Sequence, residues 1–396
     1  MLAMRRILIV TPNFPWPQTG ADQQDRGEGL RQLLRLGHEL EVITKIDSGK
    51  ETIVDQVAKE LNIKIRSVTY KRSKSLQRLI KPAYWDGAAY EYADQEIVQA
   101  LESSLESFKP DLVWFEYTYL WPLYKYVTDR KIPIITRSIN FEPTHFLDET
   151  GNNIVNRLRV LPKYKSERET VSGSDLIFAI TPNEADIYAK MGAKNVVVLP
   201  LRALGRILSE PAVGVKDKSK LDIYFSSGST YNVEHNLAAL KFVLVELAPV
   251  LNKNMQERFV LHITGKHMSN DFVRRCTGNI VYHGFVEDYS KFMADMDIAI
   301  APSLFGAGMQ QKVFEPIVRG LPTVAHKRAI SGYDLESGKH YLSGTTAQDF
   351  AKALMQLADI NLRRSISEAG RNKSQELFNQ NKLDSIVVSS INEVLS

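Results

Sequence analysis

The chain has a single cysteine, Cys276, in 396 residues. One thiol excludes an intrachain disulfide and fits a reducing compartment. No run approaches the roughly 18 uninterrupted apolar residues of a membrane-spanning helix. Charge of one sign is also scarce. Fifty Lys and Arg against 46 Asp and Glu leave a net +4, too little to argue for a nucleic acid partner. The eight histidines never take the H-x-x-x-H or H-E-x-x-H spacing of a zinc site, so no metal is expected. No G-x-S-x-G and no phosphate-loop sequence occurs, which removes the corresponding hydrolase and NTPase classes. The first residues, MLAMRRILIVTPNF, pass straight into a strand-like run too short for a secretory signal. The expected location is therefore the cytoplasm.

What is present is an alternation of short apolar runs with amphipathic ones, over a length that exceeds one typical core and suggests two domains. Arg6–Thr11 reads as a strand, Ala21–Leu36 as a helix closed by Gly37, and His38–Thr44 as the next strand. That is a βαβ unit, hence a parallel sheet. The first loop has one glycine where a dinucleotide fingerprint needs three. Gly20, at the helix start, reads either as a contact for one phosphate or sugar or as an ordinary turn glycine. From Lys64 to Lys81 the chain is basic, without an acid, and edged by Tyr70, Tyr84 and Trp85. Such a segment suits a solvated face, peripheral contact with the inner face of an anionic membrane, or the holding of a phosphorylated acceptor. Tyr90–Phe108 is expected to be one helix, Arg137–Asp148 a polar loop, and Ile154–Ser172 a second helix. Ligands in open α/β sheets bind beyond the carboxyl ends of strands. Arg137, Asn140, Glu142 and His145 in that loop are thus candidates for acceptor contacts and chemistry. Leu201–Leu221 reads as the linker, after which the alternation restarts.

The most specific stretch is AIAPSLFGAGMQQKVFEPIVRGLPTV, Ala299–Val324. It reads as a buried strand, a turn holding Gly306 and Gly308, a helix of about three turns, and a new strand. Glycines let the backbone turn sharply and approach a ligand. A helix start aimed at the turn is an anion site, most naturally for phosphate. Glu315, just inside that helix, could accept from the ribose hydroxyls of a nucleotide.

The segments FSSGSTYNVEHNLAALKFVLVELAPVL, VLHITGK, VYHGFV and the Ala299–Val324 stretch stand in one order. Together with TPNFPWPQTG, GHELEVIT and RSINFE in the first half, this order resembles the GT-B glycosyltransferases. It resembles specifically the retaining family 4 subgroup with a Gly-x-Gly-x-x-x-Lys-x-x-Glu helix start. The resemblance implies two doubly wound, Rossmann-like α/β domains facing across a cleft. An acceptor-side domain would span 1–205 and a donor domain 206–380, with helix 381–396 returning to the first. It implies transfer of a sugar from a nucleotide-sugar donor to a glycan, glycolipid or protein acceptor without a metal cofactor. By likeness, Glu315 holds the ribose, Gly306, Ala307, Gly308, Met309 and Gln310 offer backbone amides, and Lys312 either neutralises phosphate or simply solvates the helix. Ser227, Gly228, Ser229 and Asn236, with Gly265, Lys266, His283, Gly284, Phe285 and Val286, line the donor site. His283 reads equally as a cover for the base or as a strand-end histidine. Asn140 and Glu142 are the catalytic-side candidates. Three features depart from the family: Ala307, where many members carry glutamate; Ile139, where they often carry histidine; and Ser229 and Asn236, with Lys241 only on the following helix, where an arginine and lysine pair often clamps the diphosphate. A nucleotide-sugar 2-epimerase and a non-catalytic binding subunit are the alternative readings.

Overall fold

In the computed structural model, residues 4–71 and 87–396 are described. The chain divides into two units, Met1–Arg202 with Asn381–Ser396, and Ala203–Gln380.

The first unit is built on β1 (Arg6–Thr11), β2 (Glu39–Ile46), β3 (Lys64–Thr69), β4 (Leu112–Phe115), β5 (Ile134–Arg137), β6 (Leu176–Ala179) and β7 (Val196–Val198). These form one seven-stranded sheet in the order β3-β2-β1-β4-β5-β6-β7, parallel throughout. Successive side chains of a strand point to opposite faces, and both faces are covered. Ile7, Ile9, Val42 and Trp114 pack on one side, and Leu8, Val10, Ile43 and Phe115 on the other. That two-sided burial is why the strands read as continuous apolar runs. The helix Gln380–Leu395 closes the first of these cores with Leu383, Val387 and Ile391. Their four-residue spacing presents one apolar stripe. Asp384 on the same helix accepts from Gln32 Nε2 at 2.9 Å and Arg35 Nη2 at 3.0 Å, which attaches the end of the chain to the first unit.

The second unit is built on β8 (Leu221–Phe225), β9 (Phe259–Ile263), β10 (Ile280–Tyr282), β11 (Ile298–Ala301), β12 (Thr323–Ala325) and β13 (Leu342–Ser343). Its six strands run β10-β9-β8-β11-β12-β13, again all parallel. The chain leaves β8 toward β9 and β10, then crosses back to β11. The switch point therefore lies between the carboxyl ends of β8 and β11, where open α/β sheets bind ligands.

Several sequence expectations are corrected. Arg137 ends β5, and what reads as a polar loop after it is the helix Glu142–Thr150 with Pro143 in its first turn. Proline is pre-set for that position, so the polar composition misled where the proline did not. The helix expected over Ile154–Ser172 is two, Ile154–Arg159 and Leu161–Gly173, because Pro162 has no N–H to continue the ladder of the first. Tyr90–Phe108 is likewise interrupted, and Asp94 caps the helix Gln95–Ser107 by accepting from the Ile97 amide. The linker stretch contains the helix Ala203–Ser209, with Leu204, Ile207 and Leu208 buried.

The basic segment is not a bare cationic face over its described part. Lys64 and Arg66 reach Glu41 at 3.3 and 2.6 Å, and Lys71 reaches Glu96 at 2.6 Å. The acids missing from the local sequence are supplied by neighbouring elements. Arg72, Lys74, Arg78, Lys81, Tyr84 and Trp85 lie outside the described residues.

Candidate functional site

At the β8/β11 switch point three loops are laced together. Ser226, directly after β8, donates from Oγ to the Lys312 carbonyl at 2.6 Å. Lys266 N–H donates to the Ser229 carbonyl at 2.9 Å, Gly265 N–H to the Gly284 carbonyl at 2.8 Å, and Tyr282 Oη to the Gly265 carbonyl at 2.7 Å. Gly265 holds φ at +121° and Gly284 at +68°, values in the region that favours glycine. The loops after β8, β9 and β10 are therefore fixed by main-chain geometry, with Lys266 Nζ lying 4.0 Å over the Phe285 ring. Val286 follows in the same loop.

After β11 the chain turns through Gly306, at φ +106°, and Gly308, at φ +75°, into the helix Gln311–Val318. The Gly306 carbonyl accepts from Arg328 Nη2 at 2.8 Å and the Gly308 carbonyl from Ser331 Oγ at 2.9 Å. Among the described residues, the amides of Gly306, Ala307 and Gly308 make no hydrogen bond. The Gln310 side chain braces the turn by donating to the Phe305 carbonyl at 3.1 Å and accepting from Ser303, while Met309 is buried beneath it. With both carbonyls tied back, the turn offers N–H groups at the start of a helix, an arrangement that suits an anion.

Lys312 lies in the first turn of that helix. Its Nζ donates to Asn236 Oδ1 at 3.0 Å. Among the described residues no carboxylate pairs with it, and burial alone pushes its pKa down to about 8. A half-buried ammonium without a counter-charge is costly unless something anionic arrives. Asn236 is oriented by a second bond, from Nδ2 to the Thr230 carbonyl at 2.9 Å. Gly228 makes room for it, since a Cβ there would stand 2.1 Å from Asn236 Nδ2. Gly228→Ala is therefore expected to displace Asn236 and to weaken anion binding roughly tenfold, at about 1–3 kcal/mol of stability for the overpacked contact. Calorimetric titration with inorganic pyrophosphate beside a melting curve would check both. Unchanged binding would mean that Asn236 does not set the lysine.

Glu315, one turn further on, is 6 % exposed. Its Oε2 accepts from Gln311 Nε2 at 2.8 Å and its Oε1 from Arg319 Nε at 2.9 Å. Arg319 in turn donates to Glu210 at 2.7 Å. The i−4 and i+4 partners clamp the carboxylate from both sides along one helix face. That spacing is plain in the sequence, yet neither Gln311 nor Arg319 was singled out there.

His283 is the strand-end histidine. Its Nε2 meets His262 Nδ1 at 2.9 Å, the rings stack with centroids 5.2 Å apart, and His262 Nε2 meets Asp222 at 3.0 Å. The ring is thus engaged with His262 at the strand end while staying exposed.

In the first unit the candidates separate. Arg137 is fully buried; it donates to Asp25 and to the Leu199 and Pro200 carbonyls. It is a structural cation and not an acceptor contact, because its donors are turned into the protein. Gly20 is the N-cap of the helix Ala21–Arg35, with its amide donated to Gln23 Oε1 at 3.1 Å. That is the ordinary turn-glycine role. His145 sits 3.6 Å from Glu149, one turn away on its helix.

Glu142 is 4 % exposed. It accepts from Tyr117 Oη at 2.5 Å, Asn140 Nδ2 at 2.7 Å and Tyr119 Oη at 2.6 Å. Three donors on one carboxylate leave about one of its four acceptor positions. Asn140 is thereby committed to Glu142. Behind them Glu167 accepts from Tyr188 Oη at 2.8 Å and from the Glu142 amide at 3.2 Å. Burial, with the Glu142 charge adding to it, raises the Glu167 pKa to about 8, so at neutral pH this group is largely protonated. The tyrosines and Glu167 carry no local sequence signal; only the fold brings them to Glu142.

Comparison with known proteins follows the same division. Solved structures match the whole chain in fold. A glycosyltransferase from Rickettsia africae matches with a TM-score of 0.69 at 15% identity, covering 99% of both chains. The pneumococcal O-GlcNAc transferase GtfA, solved with UDP and GlcNAc, matches at 0.68 and 12%, again covering 99% of both. HepE of Anabaena, solved with UDP and glucose, matches at 0.64 and 12%, covering 98% of this chain and 100% of that one. No curated protein matches in sequence. The fold is that of GT-B glycosyltransferase structures. Residues 225–359, from the end of β8 past β13, match the family model described as "Glycosyl transferases group 1".

Proposed function

We propose that the protein is a glycosyltransferase that moves a sugar from a nucleotide-sugar donor to a glycan, glycolipid or protein acceptor. The observation that carries this reading is the helix Gln311–Val318. Its preceding turn with unbonded amides, its lysine without a counter-charge and its clamped glutamate all fall in the one short stretch Gly306–Glu315. A diphosphate on the amides and Lys312, and a ribose on Glu315, is the ligand with that charge distribution. The group 1 match over residues 225–359 and neighbours of the same fold solved with UDP support it. A nucleoside diphosphate leaves with developing negative charge, which preorganised amides and a lysine stabilise. The transfer is read as retaining, on the family likeness and on the state of Glu142. An inverting displacement needs a general base, and a carboxylate with three donors on it is poorly placed to serve.

Incubation with UDP-, GDP-, ADP- and dTDP-sugars is expected to raise the melting temperature with at least one donor, UDP-sugars being tried first. Release of nucleoside diphosphate in the presence of acceptor completes the test. Interconversion of donor without acceptor would instead point to an epimerase, and no shift with any donor would sink the reading.

The lysine adds a pH dependence. Below about pH 8 Lys312 is protonated in the empty protein, and the diphosphate meets a cation. Above it the charge must be restored on binding, so affinity is expected to fall by about tenfold per pH unit until the pKa of the complex is reached. Lys312→Met should remove that slope. It should leave the empty protein as stable or more so, because the substitution removes a cation that burial disfavours. A Kd that stays level between pH 7 and pH 9.5, approximately the window in which this slope develops, would contradict the assignment.

A further inference from the structure

The helix Ile154–Arg159 is turned inside out. Its buried residue is Asn156, which donates from Nδ2 to the Thr150 and Gly151 carbonyls at 2.7 and 2.9 Å. Its aliphatic residues face solvent: Ile154 is 79 % exposed, Val155 63 % and Leu158 65 %. The next helix continues the surface with Leu161 at 58 % and Tyr164 at 42 %. Five large apolar side chains thus stand exposed between Ile154 and Tyr164, on two consecutive helices, and exposed apolar surface gathered in this way marks an interaction site. Arg157, Arg159 and Arg168 are exposed along the same segment, with Lys163 and Lys165 half-buried. The one acid between Gly151 and Arg168 is Glu167, which is fully buried and bonded to Tyr188. From Gly151 to Arg168 the exposed charged side chains are thus all cationic, and the next acid, Glu169, is half-buried.

We propose that this face docks on an anionic lipid surface, the apolar side chains entering the headgroup layer and the arginines lying among the lipid phosphates. The charge decides against a second copy of the chain as the occupant. A two-fold pair buries the same patch on both partners, and here it would set arginines against arginines. A lipid surface supplies the opposite sign. Among the described residues no helix is long and apolar enough to cross a membrane, so the contact is peripheral. The inference stands independently of sugar transfer.

The test is co-sedimentation of the full chain with vesicles of phosphatidylcholine alone and of phosphatidylcholine with phosphatidylglycerol in equal parts. Binding is expected to the anionic vesicles and to weaken as salt rises. The Arg157→Ala/Arg159→Ala variant should bind roughly 30-fold less well, from two surface cations lost. Leu158→Ser/Leu161→Ser should lose at least about tenfold by withdrawal of apolar area. All four side chains are exposed, so both variants should melt with the parent protein and keep its response to nucleotide. Equal binding by parent and variants, or no binding by the parent, overturns the proposal. So does a concentration-dependent dimer in light scattering that Leu158→Ser/Leu161→Ser dissociates.

Discussion

Arg202→Ala is expected to destabilise the first unit by about 3–5 kcal/mol, the usual cost of breaking a buried ion pair by removing one partner. Its guanidinium joins two acids, reaching Glu116 at 3.0 and 2.9 Å and Asp25 Oδ2 at 2.9 Å. Its own amide donates to Asp25 Oδ1 at 2.7 Å. Arg137 approaches the other side of Asp25 at 3.4 Å, so two cations and two anions form a neutral cluster without water access. The cluster ties the helix Ala21–Arg35 to the ends of β4 and β5 and to the chain leaving β7. Gly29 is part of the same fit, for a Cβ there would lie 2.0 Å from Arg202 Nη1. In the variant, Glu116 loses both of its guanidinium contacts and Asp25 keeps only the longer one.

The loss should show as a melting temperature lower by roughly 10 °C, at about 2–4 °C per kcal/mol for a domain of this size. Arg202→Lys restores the charge but not the planar fork and should recover only part of it. The acid side of the stability curve should move as well. Burial alone would push the Asp25 carboxyl up, but the guanidinium charges of Arg137 and Arg202 outweigh it and hold the group well below the usual carboxylate range. A depressed carboxylate contributes stability above its unfolded value and loses it as pH falls through the folded one. The parent protein should therefore keep this contribution to lower pH than Arg202→Ala does. Melting of the variant within about 2 °C of the parent, less than 1 kcal/mol, would mean the cluster is not what holds these strand ends.

That cluster also shows where sequence reading stopped. The parallel strands were legible because burial on both faces makes them continuous apolar runs, and the switch-point turn because glycines and a helix start mark it locally. Arg137 was read as a ligand contact because it follows a strand, where ligands bind. What it does depends on Asp25, more than a hundred positions away, a distance that periodicity cannot bridge. Glu142 was singled out, but the three donors that engage it come from residues with no spacing in common. In the second unit the candidate residues stand closer together in sequence. Glu315, Gln311 and Arg319 lie on one helix face, and Lys312 lies on the turn that begins it, so the site is local in sequence. Even there Asn236 and Gly228, which set the lysine, are joined to it only by the crossing from β8 to β11.

Glu315→Ala is expected to weaken nucleotide binding at least about 100-fold. A carboxylate offers roughly four acceptor positions, and Gln311 and Arg319 occupy two. Two remain on a group already fixed in direction, enough for the paired hydroxyls of one ribose. Hydrogen bonds to a charged group are worth about 1.5–3 kcal/mol each, so losing two costs a factor of roughly 150 at the lower figure. Glu315→Gln keeps the shape but exchanges one acceptor oxygen for a donor and should lose roughly tenfold, about 1.4 kcal/mol. Both changes should cost less stability than Arg202→Ala, because Arg319 retains Glu210 at 2.7 Å when its ion pair with Glu315 is weakened or lost. A lower affinity alone would not separate a ribose contact from a disturbed helix. Binding of a nucleoside diphosphate and of its 2′-deoxy form to parent and variant separates them, since two changes in contact are not additive. The parent should prefer the ribonucleotide by about tenfold or more, one hydrogen bond to a charged group, and Glu315→Ala should bind both forms equally. A preference that survives in the variant would place the ribose elsewhere and leave Glu315 as no more than the partner of Gln311 and Arg319.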